Sequence, residues 1–183
     1  MNIILIGNMG SGKTTVGRLL SFFLGNKFYD LDDIIITWKK QDIHNIFLKN
    51  GENYFRKIET EVLHFFRSIE KKFVLSTGGG TACFSDNIYI LNSLGKTFFF
   101  HLSSKEIFKR IRSQKFNRPL ISSLSDDKLL FFIHKQISNR IKYFEKANYN
   151  VEIGNFLPDK IAFSIHKKLS IFTNKYGIIK PFK

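Results

Sequence analysis

Near the amino end the residues Gly7-Asn8-Met9-Gly10-Ser11-Gly12-Lys13-Thr14 spell G-x-x-x-x-G-K-[ST], a spacing suited to holding phosphate. Glycines let successive backbone N–H groups converge on phosphate oxygens, and a helix opening at Thr14 adds the positive end of its dipole. Gly10, Ser11, Gly12 and Thr15 are expected to line the ATP cradle. Lys13 is expected to reach the β and γ phosphates from an exposed loop, and the Thr14 hydroxyl to meet Mg²⁺. The motif follows an apolar run and precedes a helical one, the context it requires; a chance glycine turn is the competing account. It specifies a nucleotide and leaves the acceptor open.

A second group of chemical residues is Phe28-Tyr29-Asp30-Leu31-Asp32-Asp33. Alternate residues point the same way if the strand continues, so Asp30 and Asp32 can divide the work, one near a metal and one near an acceptor hydroxyl. Asp33, just before Ile34, is expected to cap the following helix. A third group, Phe73-Val74-Leu75-Ser76-Thr77-Gly78-Gly79-Gly80, ends a buried-looking strand in three glycines, where a ligand can come close to bare backbone. P-loop ATPases usually carry an acid at such a strand end. Here either Asp30 supplies it or water surrounds most of the metal.

These groups meet only if the chain brings strand ends together. Short apolar runs at 3–6, 28–29, 73–75, 97–102 and 149–153 read as strands, separated by helical patterns at 14–24, 34–48, 51–69, 105–112, 128–147 and 158–170. Such alternation implies an α/β fold of parallel βαβ units with helices on both faces, and ligands gather at the carboxyl ends of its strands. Residues 113–127, with Arg118-Pro119 in the middle, lack periodicity and read as a mobile lid. One domain, 1–173, is expected, with 174–183 a tail that need not be ordered.

Composition narrows the function classes. The chain has 183 residues, 43% hydrophobic and 24% charged, ordinary for a globular domain. No apolar run approaches a membrane span, and the start at Met1 shows no secretory leader, so a soluble, cytoplasmic protein is expected. A single cysteine, Cys83, reads as a small buried side chain. The net charge is +14, but the basic residues are scattered, no nucleic-acid module is present, and 21 Phe against 3 Pro suggests drift toward A- and T-rich codons. Small-molecule partners, a monomer, and neither nucleic acid nor membrane are the expectation.

With the P-loop, Asp30-x-Asp32, Phe55-Arg56-Lys57-Ile58-Glu59, the Gly78-Gly79-Gly80 run, Arg118-Pro119-Leu120 and Arg140 in order, the chain resembles the shikimate kinase family from about residue 1 to 153. The resemblance implies a three-layer P-loop fold: a five-stranded parallel sheet flanked by helices, with a lid. It implies transfer of the ATP γ-phosphoryl group to the shikimate 3-hydroxyl. Thr14 and Asp30 would belong to the Mg²⁺ site, Asp32 would take the proton, and Lys13 and Arg118 would act on the phosphates. Arg56, Arg140 and Gly78, Gly79 and Gly80 would hold shikimate, with Glu59 supporting Arg56. Arg110 resembles the arginine that packs on adenine. Lys142 and Phe144 depart from the proline and tyrosine common in the family. Gluconate or nucleoside-monophosphate kinases, and a non-catalytic binding protein, are the alternatives.

Overall fold

In a computed structural model, residues 1–113, 121–169 and 179–181 are described. The elements run β1 (Ile3–Ile6), α1 (Lys13–Leu24), β2 (Lys27–Asp30), α2 (Leu31–Lys39), α3 (Ile43–Phe65), β3 (Phe73–Ser76), α4 (Asn87–Leu94), β4 (Lys96–His101), α5 (Ser104–Ile111), α6 (Asp126–Phe144), β5 (Tyr149–Glu152), α7 (Pro158–Leu169) and β6 (Ile179–Pro181). The sheet order is β2-β3-β1-β4-β5-β6. The first five strands pair in parallel and β6 lies antiparallel on β5.

Strand β1 is apolar at every position because both faces of the sheet are covered. Ile3 and Leu5 point into one core with Val16 and Leu20 of α1, Ile107 of α5 and Ile161 of α7. Ile4 and Ile6 point into the other, with Ile35 of α2, Ile58 of α3 and Leu91 of α4. The Phe99 and Phe144 rings stack at 4.7 Å between centroids.

The described structure differs from the expectation in three places. The helical stretch 34–48 is two elements: Lys40 turns left-handed (φ 51°) after α2, and Asp42 caps α3 by accepting from the Asn45 N–H at 2.7 Å. Gly51, with φ 79°, kinks α3 where the expected stretches 34–48 and 51–69 meet. Helix α4 lies where none was expected; its apolar positions Ile88, Leu91 and Leu94 are properly spaced but span only two turns. The tail, of which no element was expected, supplies β6 at 179–181, since β5 offers an unpaired edge. The heart of the expected lid, residues 114–120 with Arg118, lies outside the described residues.

Candidate active site

The P-loop leaves the carboxyl end of β1, the point in the sheet order from which chain connections run to both sides. Gly10 and Gly12 hold φ of 73° and 89°, values that L side chains disfavour, and Gly12 thereby becomes the N-cap of α1. Lys13 is not exposed as expected. It is 7% accessible, because its Nζ donates to the Gly7 and Asn8 carbonyls at 2.8 and 2.9 Å and to Ser11 Oγ at 3.3 Å. The curl of the loop aims its own carbonyls at the ammonium, which holds the turn in shape before any phosphate arrives.

Next to it the Thr14 hydroxyl donates to Asp30 Oδ2 at 2.7 Å and lies 3.4 Å from Ser76 Oγ. The other carboxylate oxygen of Asp30 accepts from the Asp32 N–H at 3.1 Å. Asp30, not Asp33, is therefore the cap of α2; Asp33 instead pairs with Arg18 on the surface at 3.7 Å. Thr14, Asp30 and Ser76 form a cluster of hard oxygen donors of the kind that suits Mg²⁺. Ser76 was not singled out in the sequence, although it ends the strand where P-loop ATPases usually place an acid.

Asp32 is half-buried and its carboxylate is hemmed in by other charges. Burial, then the neighbouring Glu59 and Asp30, push its carboxyl up from 3.8 to about 7, against the pull of Lys13 and Arg56. A carboxylate that gains and loses its proton near neutrality suits a general base.

Arg56 and Glu59 sit one turn apart on α3. Arg56 Nη1 donates to Glu59 Oε2 at 2.7 Å, while Nη2 and Nε reach Glu52 at 2.9 and 3.2 Å. Burial works against the Arg56 charge, but these carboxylates more than offset it. Glu59 is fully buried, which pushes its own carboxyl up, opposed by Arg56 and by the Thr81 hydroxyl. Arg140 comes from α6, far off in sequence, and donates to the Gly79 carbonyl at 3.1 Å and to Asn8 Oδ1 at 3.4 Å. Burial disfavours its charge, and among the described residues no carboxylate forms an ion pair with it. A buried guanidinium in this state suits an anion from outside.

The glycine run needs its lack of side chains. A Cβ on Gly79 would lie 2.8 Å from the Met9 backbone nitrogen, and one on Gly80 would lie 2.5 Å from Arg56 Nη2. The run therefore lets the P-loop and Arg56 close on it from both sides. Two cavities result. One of about 570 Å³ is bordered by the P-loop from Gly10 to Thr15, Asp30 and Arg110. The other, of about 310 Å³, is bordered by Arg56, Gly80 and Arg140 and also by His44, Phe47 and Phe55. They share Met9, Asp32, Gly78 and Gly79.

Most of the expected site residues thus converge, and Arg118 alone lies outside the described residues. Arg110 is at the rim of the larger cavity and donates to the Gly154 carbonyl at 3.0 Å. Cys83 is half-buried, and burial pushes its thiol up to about 11, in keeping with an unreactive side chain. Glu52, four residues before Arg56, had a readable signal in its helical spacing. His44, Phe47 and Thr81 had none.

The shikimate kinase family model matches residues 9–170. The shikimate kinase of Phocaeicola vulgatus is 38% identical over 147 residues, 80% of this chain and 83% of the relative. That of Parabacteroides distasonis is 34% identical over 167 residues, 91% of this chain and 96% of the relative. Among solved structures, the shikimate kinase from Bacteroides thetaiotaomicron matches with a TM-score of 0.86 at 31% identity, over 93% of this chain and 99% of that one. The shikimate kinase from Acinetobacter baumannii in complex with shikimate matches at 0.84 with 34% identity, over 96% and 94%. A gluconokinase from Sinorhizobium meliloti, at 15% identity and 0.52, shares the fold alone. No described helix is long and apolar enough to cross a membrane.

Proposed function

We propose, from the premise that this chain belongs to the shikimate kinase family, that it transfers the γ-phosphoryl group of ATP to the 3-hydroxyl of shikimate. The observation that carries the reading is the shared wall: Asp32 and Gly79 border both the P-loop cavity and the cavity of the two arginines. A hydroxyl in one cavity then faces a phosphate in the other.

In this reading Arg56 and Arg140 hold the acceptor's carboxylate, to which planar guanidinium forks are suited. The Gly78-Gly79-Gly80 backbone lets the ring approach Asp32. Asp32 takes the proton as the hydroxyl oxygen bonds to the γ-phosphorus. The bond from that phosphorus to the bridging oxygen breaks, and ADP leaves. Lys13, already aimed into the loop by two carbonyls, counters charge on the transferring group. Arg118 is assigned to the phosphates by resemblance. Thr14 and Asp30 would hold Mg²⁺, which, when bound, neutralises charge on the β and γ phosphates. Small acidic and nucleotide substrates, with no need for nucleic acid or membrane, fit a cytoplasmic enzyme.

A coupled ADP-release assay with shikimate, gluconate, nucleoside monophosphates and other hydroxy acids tests the reading. Release that depends on shikimate and is weak with the others is expected. Release with gluconate or a nucleotide but not shikimate would overturn it, and no release with any acceptor would favour a binding protein. Retention of Lys13, Thr14, Asp30 and Asp32 argues for the enzyme.

A further inference from the structure

Glu59 is fully buried, and its two oxygens have different partners. Oε2 accepts from Arg56 Nη1 at 2.7 Å. Oε1 accepts from the hydroxyl of Thr81, a residue with no accessible surface in the turn after the glycine run. Thr81 is itself held: its carbonyl accepts from Asn87 Nδ2 at 2.9 Å. Asn87, buried at the start of α4, accepts at Oδ1 from the Thr60 hydroxyl at 2.8 Å. That hydroxyl also lies 3.1 Å from the backbone carbonyl of Arg56. With the single Thr60 proton shared between these two acceptors, the contacts form a ring that leaves Arg56 by its side chain and returns to its backbone, joining α3, the turn and α4.

We propose that Thr81 is a positioning residue for the acceptor: its hydroxyl fixes Glu59, which fixes the Arg56 guanidinium, and Asn87 and Thr60 hold Thr81 in place. The inference deepens the shikimate kinase reading and rests on it. A buried carboxylate oxygen without a donor is costly. Without the Thr81 hydroxyl, Oε1 has no other donor among the described residues. Glu59 then rotates toward the cavity or takes a proton, and either change releases one side of Arg56. Gly78 leaves this carboxylate its room, since a Cβ there would lie 2.6 Å from Glu59 Oε1. The nucleotide cavity has no part in the ring, so the effect is confined to the acceptor.

The test is steady-state kinetics of Thr81→Val, which replaces the hydroxyl by a methyl of similar size. The expected result is a KM for shikimate raised about 10-fold or more, with the KM for ATP within about 2-fold, since hydrogen bonds to charged groups carry this much. Thr81→Ser restores the hydroxyl and brings the shikimate KM back to within about 3-fold of wild type. On an Arg56→Lys background Thr81→Val adds little further loss, because the two act through one pair. Thr81→Ala, with the same expectation, serves if the valine variant does not fold. A shikimate KM within 2-fold of wild type, or equal losses for both substrates, overturns the proposal. If the wild-type chain itself releases no ADP with shikimate, the functional reading fails and this inference with it. If it does and the KM of Thr81→Val is unmoved, the inference alone fails.

Discussion

Arg56→Lys keeps a positive charge on α3 and removes the planar fork. In the structure the guanidinium spends Nη1 on Glu59 at 2.7 Å and Nη2 and Nε on Glu52 at 2.9 and 3.2 Å, and still borders the acceptor cavity. A lysine ammonium at the end of a flexible stem can satisfy Glu59 or face the substrate carboxylate. It cannot hold both carboxylates at fixed angles. The loss is about one charge-assisted hydrogen bond to substrate, roughly 1.5–3 kcal/mol, so kcat/KM for shikimate should fall about 10- to 150-fold. The coupled ADP-release assay reads this directly with shikimate varied at saturating ATP. The KM for ATP should stay within about 2-fold, because Arg56 does not border the P-loop cavity. A shikimate analogue with a neutral amide in place of the carboxylate should react poorly with the wild type and show little further loss in the variant. Equal losses for the acid and the amide would refute the idea that Arg56 reads the carboxylate.

Three other perturbations probe the remaining parts. Asp32→Asn should lower kcat at least about 100-fold while ATP affinity, measured by titration, is retained; normal turnover would remove Asp32 from the chemistry. Because its carboxyl is pushed up to about 7 from 3.8, the folded wild type holds this proton more tightly than the unfolded chain. Stability is therefore lost as pH rises through that interval, and Asp32→Asn should raise Tm at pH 8 relative to wild type. For the same reason kcat/KM of the wild type should fall as pH drops below about 7. Gly79→Ala puts a Cβ 2.8 Å from the Met9 backbone nitrogen, which should cost about 1–3 kcal/mol of stability and raise the KM of both substrates; unchanged kinetics would mean the P-loop yields freely there. Thr14→Val should raise the Mg²⁺ concentration needed for half-maximal rate about 10-fold and leave shikimate binding without nucleotide unmoved; an unaltered Mg²⁺ requirement would take Thr14 out of the metal site.

The parts that were legible in the sequence are those whose chemistry is local. A phosphate cradle needs a particular run of backbone conformations, so its spelling and its place after β1 are enough to read it. The parallel strands were equally plain, since burial on both faces makes them short apolar runs. What escaped depends on contacts across the chain. The acidic run could not tell which carboxylate caps α2, because that depends on where β2 ends, and Asp30 took the role expected of Asp33. The exposure expected of Lys13 failed because the loop's own carbonyls enclose it. Arg56 and Arg140 were set apart from the many other basic residues only by resemblance to a family. The Thr81–Glu59 hydrogen bond joins residues separated by 22 positions and leaves no periodic trace.

The added strand β6 bears on how the chain behaves in company. A parallel sheet ending at β5 would present an open row of backbone donors and acceptors, a template on which another copy could add a strand. With β6 lying antiparallel on it, the exposed border becomes a strand of three residues that ends at Pro181, which has no backbone N–H to offer. At the opposite border β2 is four residues long and starts at the exposed Lys27. Short borders with a charge or a proline resist edge-to-edge addition. In a chain so rich in phenylalanine, with Phe22 82% and Phe131 69% accessible, short and interrupted borders work against the ordered route by which exposed aromatic surface would grow into aggregates.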